Sequence, residues 1–215
     1  LLCNGAVDDS IKFTSFDGGS GIWEGIYFNS NSDNGVASAI TYTIIENAGF
    51  GSRNANLYCS STSQPTLTNC FFKQSEGHGA HLYYSSPTFN QCIFENNTSA
   101  GLYCNYSSPT ITYSKIENNE SHGVLLSSSS PQIWNSEIKD NTEYAIYCAN
   151  PNSFPGILGN TYSGNVYNAV VYAGGNMTTS GTWYNDDVNY IVLGDIIIYN
   201  SPNPRLTIQP GVTCR

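Results

Sequence analysis

Apolar and polar residues recur along this chain in columns that return every 22 residues. Four runs, Pro65-Thr66-Leu67-Thr68, Pro87-Thr88-Phe89-Asn90, Pro109-Thr110-Ile111-Thr112 and Pro131-Gln132-Ile133-Trp134, start at 65, 87, 109 and 131. A fifth, Pro155-Gly156-Ile157-Leu158, follows after 24 residues. One apolar column reads Ile40, Leu67, Phe89, Ile111, Ile133 and Ile157, and a second Ile45, Phe72, Phe94, Ile116, Ile138 and Tyr162. A third column of short runs includes Gly101-Leu102-Tyr103-Cys104 and Ala145-Ile146-Tyr147-Cys148. Within each run apolar and polar residues alternate, which is the period of a strand.

Three short strands and three turns per repeat cannot bury an apolar face alone, whereas stacked repeats can. The chain is therefore predicted to coil so that residue i lies over residue i+22, at a strand spacing near ~4.8 Å. That is an all-β fold, a parallel β-helix (solenoid), with right-handed connections favoured. We expect one domain over 1–215 of roughly eight coils: an irregular entry coil over 1–36, regular 22-residue coils over 37–175, and an exit segment over 176–215 resembling the start of a further β-helix block. Leu57, Leu102, Val124, Ile146 and Val170 should line the interior, as should Phe28, Cys59, Leu82, Cys104, Leu126 and Cys148. Asn97, Asn119, Asn141 and Asn165 align at one turn, where stacked amides can bond from coil to coil.

Composition narrows the function. Charged residues make up 11% of the chain, against about 25% in an ordinary domain. The net charge of −9 speaks against nucleic acid, whose phosphates need a basic stripe, and against an anionic membrane surface. No apolar run approaches the roughly 20 residues of a membrane helix. No leader segment is visible, as expected of a mature chain or a fragment. The excess of Ser, Thr, Asn, Gly and Tyr suits an extracellular or cell-surface all-β protein.

Text such as "SSPTITYSKIENNESHGVLL", over roughly residues 36 to 175, resembles the right-handed parallel β-helix repeat family, the pectate-lyase-like superfamily. The runs "GIWEGIYF" and "GDIIIYNSPNPRLTIQPGVTC" resemble generic surface proteins built from such repeats. The resemblance implies the fold and leaves function open, because one fold hosts many activities. Related lyases imply a calcium ion held by carboxylates beside an Arg or Lys base. Here no Arg lies between Arg53 and Arg205, and the adjacent Asp pairs are Asp8-Asp9 and Asp186-Asp187. No catalytic residue, metal ligand or cofactor is assigned.

Several side-chain sets remain. The outward positions Tyr27, Tyr58, His81, Tyr103 and Tyr147 form a stripe able to stack on sugar rings or to pack against protein. Among seven cysteines, Cys59, Cys104 and Cys148 sit two coils apart, about 9.6 Å, beyond disulfide reach. Cys70 and Cys92 are adjacent, so a disulfide there is open. Lys73 should face Glu95, Lys139 should face Glu117, and Lys115 should face Glu137. His78 and His122 read as exposed turn residues. The Thr rows, such as Thr66, Thr68, Thr110 and Thr112, suit a hydrated surface; ice binding is a remote alternative. Asn96, Asn97, Asn105, Asn119 and Asn176 match the glycosylation pattern.

The leading expectation is a non-enzymatic structural module that stacks head to tail with itself or with neighbouring β-helix modules, in contact through Leu1, Cys3, Leu206, Ile208 and Cys214. The alternative is a carbohydrate-binding or polysaccharide-processing β-helix.

Overall fold

The structure, a computed structural model, describes residues 1–16, 18–19, 22–30, 38–199 and 203–215. Successive coils stack in parallel and build three long sheets. The first is seven-stranded and includes Thr66–Thr68, Thr88–Asn90, Thr110–Thr112 and Gln132–Trp134. The second, also seven-stranded, includes Phe71–Lys73, Ile93–Glu95, Lys115–Glu117 and Glu137–Lys139. The third has eight strands, among them His78–Tyr83, Leu102–Asn105, Val124–Ser127 and Tyr144–Cys148. Phe89 pairs with Ile111, Phe94 with Ile116 and Leu102 with Val124, which is the predicted 22-residue register.

The centre residue of each first-sheet strand, and of the second-sheet strands from Phe71–Lys73 to Glu137–Lys139, points inward, and the third sheet contributes two inward positions per coil; in Ile11–Phe13 the centre residue, Lys12, is exposed. The predicted inward columns are buried except at two ends: Ile26, expected inward in line with Leu57, and Tyr162 are half-buried. Phe72 stacks on Phe94 with ring centres 4.8 Å apart, and Phe89 meets both edge-on. Such rings fill the interior at full contact density.

Corners decide whether the coil closes. At each of them one residue per coil takes the left-handed conformation: Asn69, Gln91 and Tyr113 at the first, Asn96, Asn118 and Asp140 at the second, Tyr84, Tyr106 and Ser128 at the third. Turning there frees a backbone N–H, and a side-chain oxygen one coil on accepts it. At the second corner Asn97 N–H donates to Asn119 Oδ1 (3.2 Å), Asn119 to Asn141 (3.1 Å) and Asn141 to Asn165 (3.1 Å). The side-chain amides donate along the same line at 2.8–2.9 Å. At the first corner Cys92 N–H donates to Ser114, Ser114 to Ser136 and Ser136 to Asn160. At the third, Ser85 donates to Ser107, Ser107 to Ser129 and Ser129 to Ser153. These buried serines precede the repeat prolines by two residues, a signal the apolar columns do not carry.

Both ends pair with the solenoid among the described residues. The described residues of the opening already form a coil in register: Cys3 pairs with Ile40, Ile11 with Thr43 and Ile26 with Leu57. The exit continues the solenoid. Asn189–Val192 joins the third sheet beside Tyr167–Tyr172, Gly175–Met177 pairs with Ile196–Ile198, and Gly181–Trp183 pairs with Leu206–Ile208. Longer or shorter loops break the 22-residue spacing there while strand pairing persists. Tyr172, Trp183 and Tyr190 fill this part of the interior, with centres 4.8–4.9 Å apart for the two contacts of Trp183.

No disulfide joins any two of the seven cysteines. Cys70 and Cys92 do stand one coil apart, but as thiols rather than a disulfide. Their sulfurs are each directed to main-chain oxygens, Cys70 to Thr68 and Ile40, and Cys92 to Asn90 and Leu67.

Candidate functional site

The outward column of the third sheet runs Tyr27, Tyr58, His81, Tyr103, Leu125, Tyr147 and Val171. Strand alternation projects these side chains away from the core. The first four rings form a continuous row with centres 5.4, 4.9 and 4.6 Å apart. Arg53 lies over the Tyr27 ring at 4.3 Å and pairs with Glu24. Leu125 interrupts the row, and Tyr147 stands beyond it.

A second file of rings, where each coil enters the third sheet, was not legible as part of the stripe. It contains His78, His122, Tyr144 and Tyr167. His122 stacks between Tyr144 (5.3 Å) and Tyr147 (4.6 Å), and Tyr144 reaches Tyr167 at 5.5 Å. A bulge between Tyr144 and Ile146 shifts the register at this point. The histidines are therefore not exposed turn residues. His122 is buried, while His78 and His81 are half-buried beside Tyr103. Burial, and then the neighbouring His81, pull the His78 imidazole down to about 4. Burial likewise lowers His81 and His122, with Glu143 opposing it at His122.

Around His122 the two files enclose a cleft of about 310 Å³, lined also by Tyr144, Tyr147, Tyr167, Glu143, Thr142, Val166 and Leu193. His122 Nδ1 lies 2.9 Å from the Glu143 carboxylate, which also accepts from Ser121 Oγ at 3.2 Å. Burial raises the Tyr147 phenol above its ordinary range, so it remains a hydroxyl donor at neutral pH. The cleft thus presents aromatic faces, one carboxylate and neutral donors.

Other predicted residues fall elsewhere. Lys139 meets Glu117 (3.3 Å) and Lys115 meets Glu137 (3.7 Å) on the second sheet. Lys73 pairs with Glu46 at 3.6 Å instead of Glu95. Glu46 is buried and also binds Lys12 at 2.5 Å. Burial alone would raise its carboxyl; Lys12, Thr14 and Lys73 outweigh that and hold it below the usual carboxylate range. A buried carboxylate takes the nearest cations, which explains the exchange of partner. Asp186 accepts from the backbone of Gly159 and Asn160, the Asn160 amide and Tyr162 Oη, ending the first-corner ladder. Among the described residues no three His, Cys, Asp or Glu side chains converge to hold a metal ion.

Asn97 and Asn119 are fully buried in the amide ladder, so in the folded chain their nitrogens are out of reach of a glycosyl group. Asn96 and Asn176 are exposed and Asn105 half-buried. Of the residues expected at end contacts, Leu1, Ile208 and Cys214 are exposed and Leu206 half-buried. Cys3 instead points inward as the first rung of a core column.

Residues 24–183 match the sequence model of a family described as right handed beta helix region. Among solved structures the fold is similar to that of the pectate lyase Pel9A, at 12% identity and a TM-score of 0.56, covering all of this chain and 68% of that one. It is also similar to the A-module of the mannuronan C-5 epimerase AlgE4 from Azotobacter vinelandii, at 16% identity and a TM-score of 0.47, covering 83% of this chain and 51% of that one. No curated protein matches the sequence.

The depressed His78 has a stability consequence. The folded state holds this imidazole neutral down to about 4, while the unfolded chain protonates it near 6.5. Its contribution is complete above pH 6.5 and is lost as the pH falls toward 4. Urea unfolding should show stability declining across that window, with a shallower decline in His78→Gln. An unchanged slope in the variant would contradict the assignment.

Proposed function

The chain belongs to the right handed beta helix family, and on that footing we propose that it binds carbohydrate through the aromatic face of its third sheet. The observation that carries this reading is the cleft in which Tyr144, Tyr147 and Tyr167 surround the His122–Glu143 pair. Pyranose rings have an apolar C–H face that packs on aromatic rings, and hydroxyls that seek a few fixed polar groups. Tyr147 supplies a face, Glu143 an acceptor and the tyrosine hydroxyls donors. Beyond Leu125, the row from Tyr103 to Tyr27 extends the same surface along the solenoid, so an elongated glycan could contact several coils. Binding rather than cleavage fits the side chains, because hydrolysis of a glycosidic bond ordinarily employs two carboxyl groups flanking it and this cleft offers one.

Isothermal titration against oligomers of galacturonate, mannuronate, glucose, xylose and N-acetylglucosamine tests this. The wild-type chain should bind at least one of them, and Tyr144→Ala with Tyr147→Ala should weaken that binding about tenfold, or about 1.4 kcal/mol, without altering the unfolding midpoint. No binding to any oligomer would overturn the reading.

A second role is compatible with the first: a structural unit of an extracellular or cell-surface protein whose coils are continued by a neighbouring β-helix module or by a second copy. Among the described residues the outer edges of Leu2–Asn4 and Leu206–Ile208 carry no further strand, and Leu2 and Ile208 are exposed; this favours it, since open strand edges readily accept another strand. Sedimentation at rising concentration should reveal head-to-tail oligomers of this chain; a monomer at every concentration would exclude self-stacking.

A further inference from the structure

We propose that the first sheet carries a second glycan site, selective for an uncharged saccharide and centred on Trp134. It lies on a different sheet from the third-sheet cleft and does not depend on it. The strands of the first sheet contain no charged residue: their outward positions are held by residues such as Thr66, Thr88, Thr110 and Thr112. At Gln132 and Trp134 this plain polar row changes character. Trp134 and Leu158 are exposed neighbours in register, and with Tyr184 they line a cleft of about 340 Å³. Its remaining walls are the amides of Gln132, Asn185 and Gln209, with Gly156 and Ile157 beneath them.

The walls are held in place. Tyr190, buried in the core, donates its hydroxyl to Tyr184 O and accepts from Tyr184 N–H, both at 3.0 Å. Gln209 Oε1 accepts from Asn185 N–H at 2.9 Å, which leaves the Gln209 NH₂ group as a donor. Gly156 lacks the Cβ that would collide with the Gln132 amide, so that amide can lie over the strand. A site fixed before binding loses little conformational freedom when a ligand arrives.

The chemistry selects the ligand. An indole face stacks on the C–H side of a pyranose, and amides both donate to and accept from hydroxyls. A uronate would bring a carboxylate for which the cleft supplies no cation, onto a chain of net charge −9. Asp186, next in sequence to the lining residue Asn185, is engaged by Gly159, Asn160 and Tyr162. A neutral hexose or pentose chain meets none of these obstacles.

The test uses the full chain carrying Tyr144→Ala and Tyr147→Ala, which silences the third-sheet cleft. Tryptophan emission is followed while cellohexaose, xylohexaose, mannohexaose or polygalacturonate is added. At least one neutral hexaose should change the emission, and Trp134→Ala, read by calorimetry, should weaken its binding about tenfold or more. Gln132→Ala should weaken it severalfold and retains the indole, which keeps the test valid if Trp134→Ala folds poorly. Polygalacturonate should leave the emission unchanged. The proposal is overturned if no neutral hexaose binds, if both variants bind as tightly as their parent, or if polygalacturonate binds as well as the neutral sugars. Because the third-sheet cleft is absent from this protein, failure here leaves that reading standing, and the reverse holds as well.

Discussion

The solenoid depends on how its corners satisfy the backbone. Strands supply partners for their own N–H and C=O groups, but a chain that turns three times per coil leaves buried donors at every turn. An unpaired buried donor costs about 1–3 kcal/mol, repeated at each coil, and the core could not absorb that sum for a chain this polar. The side chains of Asn119, Asn141 and Asn165, with Ser114, Ser136 and Asn160 at the first corner and the serine line at the third, remove the cost by accepting the N–H freed one coil before. Each ladder runs in one direction and therefore needs a terminus. Asn168 accepts from Asn165 at 2.8 Å, and Asp186 closes the line that ends on Asn160.

This constraint separates what the chain spends on folding from what it leaves for recognition. The corner Asn and Ser residues and six of the seven Cys are committed inward, as are most of the aliphatic residues of the regular coils and Phe72, Phe89 and Phe94. Glu46 and Asp186, which in isolation look like candidate acids, hold lysines and backbone amides respectively. The groups left outward are tyrosines and histidines on the third sheet, and Thr, Gln and Trp134 on the first. Both sets suit hydroxyl-rich ligands, the first with a carboxylate at hand and the second with none.

The sequence made the coil readable because its inward columns must repeat wherever strands stack in register; a single misplaced polar residue would break the count. The Asn line was readable for the same reason. The opening and exit coils were not, because loop length varies there while hydrogen-bond pairing, which leaves little trace in the sequence, continues. The candidate site was half readable. Tyr27, Tyr58, His81, Tyr103 and Tyr147 follow strand alternation, whereas Tyr144, Tyr167 and His122 reach the cleft from the mouth of the sheet, where a bulge and an adjoining corner obscure the period. Glu95 shows the limit of reading charges from register: Lys73 stands beside it, yet the buried Glu46 takes the lysine. Register likewise placed Cys70 beside Cys92 without joining them, since each thiol already has carbonyl partners.

The account stands or falls on the ladders. Replacing Asn119 with Ala removes the acceptor of two Asn97 donors and the donor to Asn141 and Phe94 O, with no change to the apolar core. Equilibrium urea unfolding should show a loss of about 2–5 kcal/mol, comparable with deleting a core leucine such as Leu102. A loss within about 0.5 kcal/mol, the range of an ordinary surface substitution, would contradict the claim that buried side-chain oxygens hold the corners.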